Sequence, residues 1–335
     1  MRFPWSKAPV HQTSCRDYTT CSCTLDADTI GKHVFIELSS ACNLSCQFCA
    51  YSWSERPGKM MPLSLLEKIL RDLKKLEPVE YIMFSALGEP TLHPQFDEAC
   101  RMVRKSGYKL IVTTNGSRLR ESMAQLPISE LYVSFNTPTA EAYELKRGKG
   151  IGFEEYVENL AGFLQAVPMF DTYIYFLTEN RRDYPEARGL VRADDPDFAQ
   201  RLEDLLRRFK PGVFVPVPIP REIELFSNVR VIMKPFTLWA NDNVPEHLEL
   251  IEAESIPASS CSYYKHHLNI IATGEVTVCC GDYDAALSLG NVSTQSLREI
   301  YLKKRPDLDL AQNELCRKCK GRVVPRGRAS SEAAL

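Results

Sequence analysis

The chain has 335 residues, of which 41 are basic and 43 are acidic, and its formal net charge is -2. This length accommodates one large α/β domain with a smaller unit attached, and the balanced charge argues against nucleic-acid partners because it offers no net counterion-release drive. No run approaches about 18 apolar residues, and residues 1–12 lack the apolar stretch of a signal peptide. We therefore expect a cytoplasmic protein with no membrane partner.

Twelve cysteines are present in the chain. The cytoplasm keeps thiols reduced, so this number indicates metal thiolates in place of disulfides. Three of them, Cys15, Cys21 and Cys23, match no metal-binding spacing and are interpreted as incidental thiols.

Short apolar, β-rich runs alternate with amphipathic helical runs between residues 33 and 217. This alternation predicts an α/β fold with six βα units around a parallel sheet. The predicted strands cover residues 34–38, 81–85, 110–114, 131–135, 173–177 and 213–217. Loops at the carboxyl ends of parallel strands converge on one face, so we expect the functional residues there.

Helices are predicted between these strands from apolar stripes of helical period. In the first helix, Ser64 and Glu67 are predicted to form a capping box. The second helix carries Cys100 on its apolar face and ends at Gly107, so Cys100 is interpreted as a core residue. Two further helices are predicted around residues 153–164 and 197–210.

The last third of the chain has a different character. The periodic pattern is lost over residues 221–260, whereas residues 268–271 and 275–279 predict a hairpin turning at Thr273 and Gly274, with a helix at 296–303. The predicted organisation is an N-terminal extension at 1–32, the α/β domain at 33–233, a bridging region at 234–260, a small module at 261–321 and a flexible tail at 322–335.

The loop after the first predicted strand carries Cys42, Cys46 and Cys49 with the spacing C-x-x-x-C-x-x-C. Thiolates are the usual ligands of iron–sulfur clusters, and three on one loop hold three irons of a four-iron cube and leave the fourth open. A structural zinc site is the alternative, but it requires four closed ligands. The spacing, with Phe48 directly before the last cysteine, resembles the radical S-adenosylmethionine (SAM) family.

This resemblance implies a partial (β/α)6 TIM-like barrel and a [4Fe-4S] cluster with SAM at the open iron. It also implies reductive cleavage of SAM to a 5′-deoxyadenosyl radical, which takes a hydrogen atom from a substrate. The electron is expected from an external one-electron reductant such as flavodoxin or ferredoxin.

Other positions match the family's SAM-binding motifs. Residues 87–90, Leu-Gly-Glu-Pro, resemble the Gly-Gly-Glu-Pro motif that binds the SAM amino group, which implies that Gly88 provides the turn and Glu89 the acceptor, directly or through polarised carbonyls. Ser134 and Asn136 occupy the place of a Ser-x-Asp pair facing the ribose. Asn115 is a further candidate SAM contact, although its Asn-Gly turn also explains it.

The C-terminal module contains Cys261, Cys279, Cys316 and Cys319. This pattern resembles the auxiliary-cluster modules called SPASM and twitch, and the absence of further cysteines implies the shorter form with one auxiliary [4Fe-4S] cluster. A zinc ribbon remains the alternative. Cys280 directly follows a presumed ligand; because neighbouring strand residues point to opposite faces, we expect only one of the pair at the cluster.

Cys280 is therefore a candidate catalytic hydrogen-atom donor, with a small buried residue or a substitute ligand as alternatives. The resulting functional hypothesis is oxidation or epimerisation of a polar small metabolite such as a sugar, aminocyclitol or nucleoside. A peptide-modifying maturase and a non-catalytic iron–sulfur electron carrier are the alternatives.

Overall fold

The computed structural model describes residues 33–46, 49–52, 54, 56, 58–76, 79–141, 143, 151–178, 194–235, 248–261, 263–264, 267–304, 309–320 and 322–325. Its strands are β1 His33–Ile36, β2 Tyr81–Phe84, β3 Lys109–Thr114, β4 Glu130–Asn136, β5 Asp171–Thr178, β6 Glu222–Phe226, β7 Val229–Pro235, β8 Leu248–Ile251, β9 His267–Ile270, β10 Glu275–Thr277, β11 Gly290–Asn291 and β12 Arg322–Pro325. Its α-helices are α1 Leu63–Leu73, α2 Phe96–Lys105, α3 Phe153–Gln165, α4 Pro196–Phe209, α5 Leu297–Tyr301 and α6 Glu314–Lys320.

Ten of these strands form one sheet in the order β11-β10-β9-β1-β2-β3-β4-β5-β7-β6. Seven neighbouring strands are mutually parallel, which confirms the parallel sheet expected from the sequence and adds one strand to it: β9, β1, β2, β3, β4, β5 and β7. The sheet has two free edges, at β11 and β6, and is therefore an open partial barrel.

One face of the sheet packs against the helices. Phe135 of β4 contacts Tyr156 of α3 with a centroid separation of 4.7 Å, and both side chains are fully buried. Cys100 of α2 is also fully buried, as expected of a core residue. No helix in the described ranges is both long and apolar enough to cross a bilayer.

The predicted capping box at Ser64 and Glu67 is wrong. The helix α1 begins at Leu63, so its N-cap is Pro62 and Ser64 lies within the first turn, where its side chain makes no cap hydrogen bond. A reciprocal capping box forms instead at the start of α5, between Ser296 and Glu299.

The sixth predicted strand, at residues 213–217, is also wrong. Prolines at 216, 218 and 220 remove backbone donors from this segment, and the N–H of Val215 donates to the Glu203 carboxylate of α4 at 2.7 Å in place of a ladder bond. The sixth parallel strand is β7, which pairs with β5 and forms a hairpin with β6. Both strands lie in the segment whose pattern we interpreted as non-periodic.

The C-terminal hairpin is continuous with the main sheet. Strand β9 pairs in parallel with β1 along its whole length, from His33 opposite His267 to Ile36 opposite Ile270. The hairpin turns at Gly274, whose φ of +94° is a left-handed conformation that suits glycine. The first four residues of the predicted tail form β12, which pairs with β8 of the predicted bridging region.

A buried ion pair links this hairpin to the segment that follows the cysteine loop. Glu37, directly after β1, has 1% of its side chain exposed and accepts two hydrogen bonds from Arg56, at 2.7 and 2.8 Å. The same carboxylate accepts the backbone N–H of Ala272 at 2.9 Å, and Arg56 also donates to the carbonyl of Tyr283. The carboxylate of Glu37 therefore holds both the C-terminal hairpin and the segment that contains Arg56 in place.

Replacing Arg56 with Met should lower the free energy of unfolding of the metal-free protein by about 3–5 kcal/mol, because it leaves Glu37 buried without its cation. Denaturant titration followed by circular dichroism measures this change. Arg71→Met is the matched control, since Arg71 is exposed and lies 3.9 Å from an equally exposed Glu67; we expect a change below about 0.5 kcal/mol. Equal effects of the two substitutions would contradict the assignment.

Candidate active site

The three loop cysteines follow β1 at the carboxyl edge of the sheet. Cys42, Cys46 and Cys49 are partly buried and form no disulfide with a described residue. The backbone N–H of Cys49 donates to the carbonyl of Cys46 at 3.0 Å, and the sulfur of Cys49 accepts the N–H of Tyr51 at 3.5 Å. Cys49 is thus tied by hydrogen bonds to Cys46 and to Tyr51.

Burial raises the pKa of the Cys42 thiol to about 11, and the nearby Glu89 and Cys46 add to the shift. Hydrogen bonds from the Leu44 backbone and from the Asn115 amide, whose Nδ2 lies 3.6 Å from the sulfur, oppose it. A thiol in this setting is protonated at neutral pH, so a bound metal is needed to hold it as a thiolate.

Gly88 allows the loop after β2 to approach the cysteine loop closely. A Cβ atom at this position would lie 2.1 Å from the carbonyl oxygen of Ser39 and 2.6 Å from the carbonyl carbon of Ser40. The neighbouring N–H of Glu89 donates to the carbonyl of Ala41 at 2.8 Å. Only glycine permits this backbone contact, which lies immediately before Cys42.

The Glu89 carboxylate is fully engaged by the protein. One oxygen accepts from the Thr91 N–H at 3.0 Å, the Thr91 hydroxyl at 2.6 Å and the Thr114 hydroxyl at 2.7 Å, and the other accepts from the Asn115 N–H at 2.6 Å. Burial raises the pKa of this carboxyl, while these hydrogen bonds oppose the rise. Of the two expected modes, this geometry favours action through the adjacent backbone over direct contact with an ammonium.

Asn115 lies against the cysteine loop. Its Nδ2 donates to the Asn43 side chain at 3.1 Å, and its Oδ1 accepts the N–H of Ser117 at 2.8 Å. Ser117 in turn contacts the Asn43 side chain, at 2.9 and 3.2 Å. The ends of β2 and β3 and the cysteine loop therefore form one hydrogen-bonded unit that contains Cys42, Glu89 and Asn115.

Ser134 and Asn136 lie at the end of β4, separated by a register shift against β5. Ser134 is opposite Tyr175, on the face away from the helices, because Phe135 between them faces α3. Asn136 is buried and has a φ of +73°, a left-handed conformation that asparagine tolerates. Phe48, Cys15, Cys21 and Cys23 lie outside the described residues.

Three of the four cysteines of the second set lie around a small hydrophobic cluster formed by residues between 256 and 311. Cys261, Cys279 and Cys316 pack against this cluster, whose core is Ile256, Ala258, Tyr264, Val278, Leu310 and Ala311. Burial raises the pKa of Cys279 well above its usual value, and Cys280 and Cys319 are close enough to add to the shift. Cys316 and Cys319 are three residues apart on α6, so they share one face of that helix.

Cys279 and Cys280 do not lie on a strand, so the prediction that strand alternation turns them to opposite faces is wrong. Strand β10 ends at Thr277, and the pair lies in the turn that follows, where the N–H of Asp282 donates to the carbonyl of Cys279 at 3.2 Å. The two thiols differ instead in their surroundings, because Cys279 packs against the hydrophobic cluster and Cys280 is not among the residues that pack there.

The segment after the cysteine loop contacts the turn that follows Cys280. Ser54 donates to the Asp284 carboxylate at 2.6 Å, and Arg56 lies 4.0 Å from the same carboxylate. Asp282 is buried and accepts the N–H groups of Ala286 at 2.8 Å and of Leu287 at 2.9 Å, which fixes the turn.

Several of these residues were missed from the sequence. Glu37 gave a usable signal, since it is a charge within the apolar run at 34–38 and a buried charge needs a partner. Arg56, Asn43 and Ser117 gave none, because their partners lie far away in the chain.

The donor set suits the expected clusters. Among the described residues, no group of three or more His, Cys, Asp or Glu side chains could hold a single metal ion. Ligands of a four-iron cube bind different irons, so they need not converge on one point. Three partly buried thiols on one loop, beside the neutral amides of Asn43 and Asn115, fit a cluster with one unligated iron.

Comparison with known families agrees with this geometry. Residues 36–191 match the radical SAM superfamily, and residues 261–320 match the iron–sulfur cluster-binding domain called SPASM. The chain therefore contains a radical SAM domain at residues 36–191 and a C-terminal SPASM domain at residues 261–320. The first domain implies a [4Fe-4S] cluster, SAM and an external reductant, and the second implies auxiliary iron–sulfur binding.

The chain spans about a third of the length of the curated relatives it matches. The tungsten-containing aldehyde ferredoxin oxidoreductase cofactor-modifying protein of Pyrococcus furiosus is 37% identical over 116 residues, 33% of this chain and 32% of that protein. The 7,8-dihydro-6-hydroxymethylpterin dimethyltransferase of Methanocaldococcus jannaschii is 26% identical over 194 residues, 53% and 36% of the two chains. The mycofactocin maturase MftC of Mycolicibacterium smegmatis is 32% identical over 139 residues, 39% and 35%.

Two solved structures share the fold. BtrN in complex with AdoMet and 2-DOIA has a TM-score of 0.51 at 17% identity, covering 86% of this chain and 92% of that one. Streptococcus suis SuiB bound to precursor peptide SuiA has a TM-score of 0.53 at 15% identity, covering 82% and 65%.

Gly88→Ala should separate the two loops, because no movement of a flexible side chain can relieve a clash between a Cβ and a backbone carbonyl. We expect the free energy of unfolding to fall by about 1–3 kcal/mol and the affinity for SAM, measured by equilibrium dialysis of the reconstituted protein, to fall at least about tenfold.

Gly162→Ala is the matched control for this substitution. Gly162 lies within α3, and its added Cβ would meet only ordinary contacts at 3.7 Å and beyond; we expect a gain of about 0.5–1 kcal/mol and unchanged SAM affinity. Unchanged SAM affinity in Gly88→Ala would count against the loop assignment.

Proposed function

We propose that this protein abstracts a hydrogen atom from a polar small metabolite, such as a sugar, aminocyclitol or nucleoside, and converts it by oxidation or epimerisation in the cytoplasm. Cys42, Cys46 and Cys49 would hold the SAM-binding cluster. Cys261, Cys279, Cys316 and Cys319 would hold the auxiliary cluster. When bound, the first cluster and SAM supply a 5′-deoxyadenosyl radical to the site.

The side chains on the face of the sheet away from the helices support this substrate class. Tyr132 lies two residues before Ser134 on β4 and therefore on the same face. Its ring lies 5.2 Å from Tyr173 and 5.5 Å from Tyr175, and its hydroxyl donates to Glu130 at 2.5 Å. Aromatic rings with polar tips suit a hydroxylated ring, which offers both apolar faces and hydrogen-bonding edges.

Basic side chains border the same face. Arg230 of β7 lies over the ring of Tyr173 at 5.9 Å, and Lys234 lies over the ring of Tyr175 at 5.2 Å. Leu177 of β5 pairs with Lys234 of β7, two residues further along β5 than Tyr175, the partner of Ser134. A polar ligand at this level would be bounded by β4 on one side and by β7 on the other.

The surrounding residues would keep the reacting groups in position. Glu89 would fix the backbone of Gly88 toward the SAM amino group, with Asn115 orienting the Cys42 side chain and Ser134 and Asn136 meeting the ribose. Arg56 and Glu37 would hold the turn containing Cys280 against the cysteine loop. Such fixed positions restrict the substrate to one reactive geometry.

The structural likeness supports this reading, because this chain covers nearly the whole of BtrN, a protein described with AdoMet and the small molecule 2-DOIA. A peptide-modifying maturase is the second candidate, supported by the sequence similarity to MftC and by the fold shared with SuiB. The external electron donor is proposed to be a flavodoxin or a ferredoxin.

SAM cleavage tests the class of activity. The protein, reconstituted anaerobically with iron and sulfide, should hold about eight irons and form 5′-deoxyadenosine from SAM and dithionite. Cys42→Ala should lose the SAM-bound cluster and reduce 5′-deoxyadenosine at least about a thousandfold, because the remaining two loop thiols cannot hold the cube. Cys100→Ala, in the core of α2, is the cysteine control and should retain iron and activity.

The substrate class can then be tested by whether a candidate substrate raises the rate of 5′-deoxyadenosine formation. A hydroxylated metabolite should raise 5′-deoxyadenosine formation above the substrate-free rate, whereas a stimulus by precursor peptides alone would favour the maturase. No 5′-deoxyadenosine from a fully loaded wild type would leave the electron-carrier alternative.

Cys280 decides between the two outcomes for the substrate radical. If it returns a hydrogen atom, its S–H bond breaks and leaves a thiyl radical, which one electron from the external reductant and one solvent proton would restore to the thiol. The product formed in deuterium oxide should carry one deuterium at the inverted carbon, because the thiol hydrogen exchanges with solvent. Cys280→Ala should then still form 5′-deoxyadenosine but release no epimer, as measured by mass spectrometry. An unchanged product in Cys280→Ala would exclude this role and favour oxidation.

A further inference from the structure

Lys304 follows α5 and points its ammonium into the SPASM domain. Its Nζ donates to the carbonyl of Tyr264 at 2.6 Å and to the carbonyl of His267. It also lies over the ring of Tyr264 at 5.5 Å and over the ring of Tyr301 at 5.7 Å. Two carbonyls and two aromatic faces thus surround the ammonium.

No carboxylate pairs with Lys304 in the part of the chain that the structure describes. The other enclosed cation of this region, Arg56, is neutralised by Glu37. The carbonyl partner of Lys304, Tyr264, belongs to the hydrophobic cluster against which Cys261 and Cys279 pack. Carbonyl dipoles and ring faces offset only part of the cost of burying a full charge, so a nearby anion would stabilise the ammonium further.

The proposed auxiliary cluster is a candidate for this anion. A four-iron cluster held by four thiolates carries a net negative charge, and Cys261 and Cys279 are two of its four proposed ligands. We propose that Lys304 is the counter-charge of the auxiliary cluster and favours its reduced state. This inference rests on the proposed ligands of that cluster and concerns the electrostatics around it.

The physical basis is the charge difference between the two oxidation states. Addition of one electron makes the cluster more negative by one unit, and a fixed positive charge nearby stabilises the more negative state more strongly. Charges and hydrogen bonds around a cluster are established determinants of its reduction potential. Lys304 thereby makes the auxiliary cluster a better electron acceptor, as the oxidation branch of the proposed function requires.

A purely mechanical role is the competing explanation. Lys304 links the residue after α5 to the carbonyls of Tyr264 and His267, so its loss also removes two hydrogen bonds. Charge and hydrogen bonding are separated by two variants: Lys304→Arg keeps both, whereas Lys304→Gln keeps a donor and removes the charge.

The test uses the full-length chain with Cys42, Cys46 and Cys49 replaced by Ala, so that only the auxiliary cluster is present. Redox titration followed by electron paramagnetic resonance measures the ratio of reduced to oxidised cluster at a fixed solution potential. We expect Lys304→Gln and Lys304→Met to lower this ratio at least about tenfold and Lys304→Arg to stay within about threefold of the parent.

Lys303→Met is the matched control. Lys303 is the adjacent residue, is exposed, and donates to the Leu289 carbonyl at 2.9 Å; its replacement should leave the ratio unchanged. A second readout, the rate of iron release to a chelator, should rise in the Gln and Met variants and not in the Arg variant.

The outcomes separate the inference from the ligand assignment. A parent chain that binds no iron would overturn the proposed ligands, and with them the role of Lys304. A parent with about four irons and the same ratio in all Lys304 variants would overturn the counter-charge alone. Equal loss of iron in Gln, Met and Arg variants would assign Lys304 a mechanical role.

Discussion

The carboxylate of Glu37 is removed from water at the end of the central strand, and a buried anion persists only where cations and N–H groups surround it. Arg56 supplies the cation and Ala272 the N–H. These partners belong to two different parts of the chain, the segment after the cysteine loop and the C-terminal hairpin. The carboxylate is therefore satisfied only when both parts are folded, and the position of each cysteine set depends on the other.

Close backbone approach is the second constraint on the site. The contact of Gly88 with Ser39 and Ser40 brings the loop after β2 against the cysteine loop, and the Glu89 carboxylate then ties both to the end of β3. The hydrogen bonds described for the Glu89 carboxylate are all made within this network, so we propose that it would contribute to cofactor binding by placing its neighbours. A negative charge in a binding loop thus serves the geometry of the loop.

Patterns among neighbouring residues predicted much of this structure, whereas contacts between distant segments were missed. Short apolar, β-rich runs predicted the first five strands, and the spacing of Cys42, Cys46 and Cys49 indicated the cluster loop, because both patterns depend on near neighbours. The segment at 213–217 failed because apolar composition was weighed above its prolines, whereas β7 satisfies the pairing of β5. The partners of Glu37 and the surroundings of Lys304 are set by tertiary packing, which no window of sequence contains.

The pairing of β9 with β1 has a consequence for biosynthesis. Strand β1 begins at His33 and its partner β9 at His267, so most of the chain must leave the ribosome before that edge of β1 is covered. Until then the edge presents unpaired backbone groups beside apolar side chains, a surface prone to pairing with other chains. Closure of this edge joins distant segments and is the slow type of contact in folding. The strand that covers this edge lies between Cys261 and Cys279, so the same closure brings two of the proposed auxiliary ligands to the sheet.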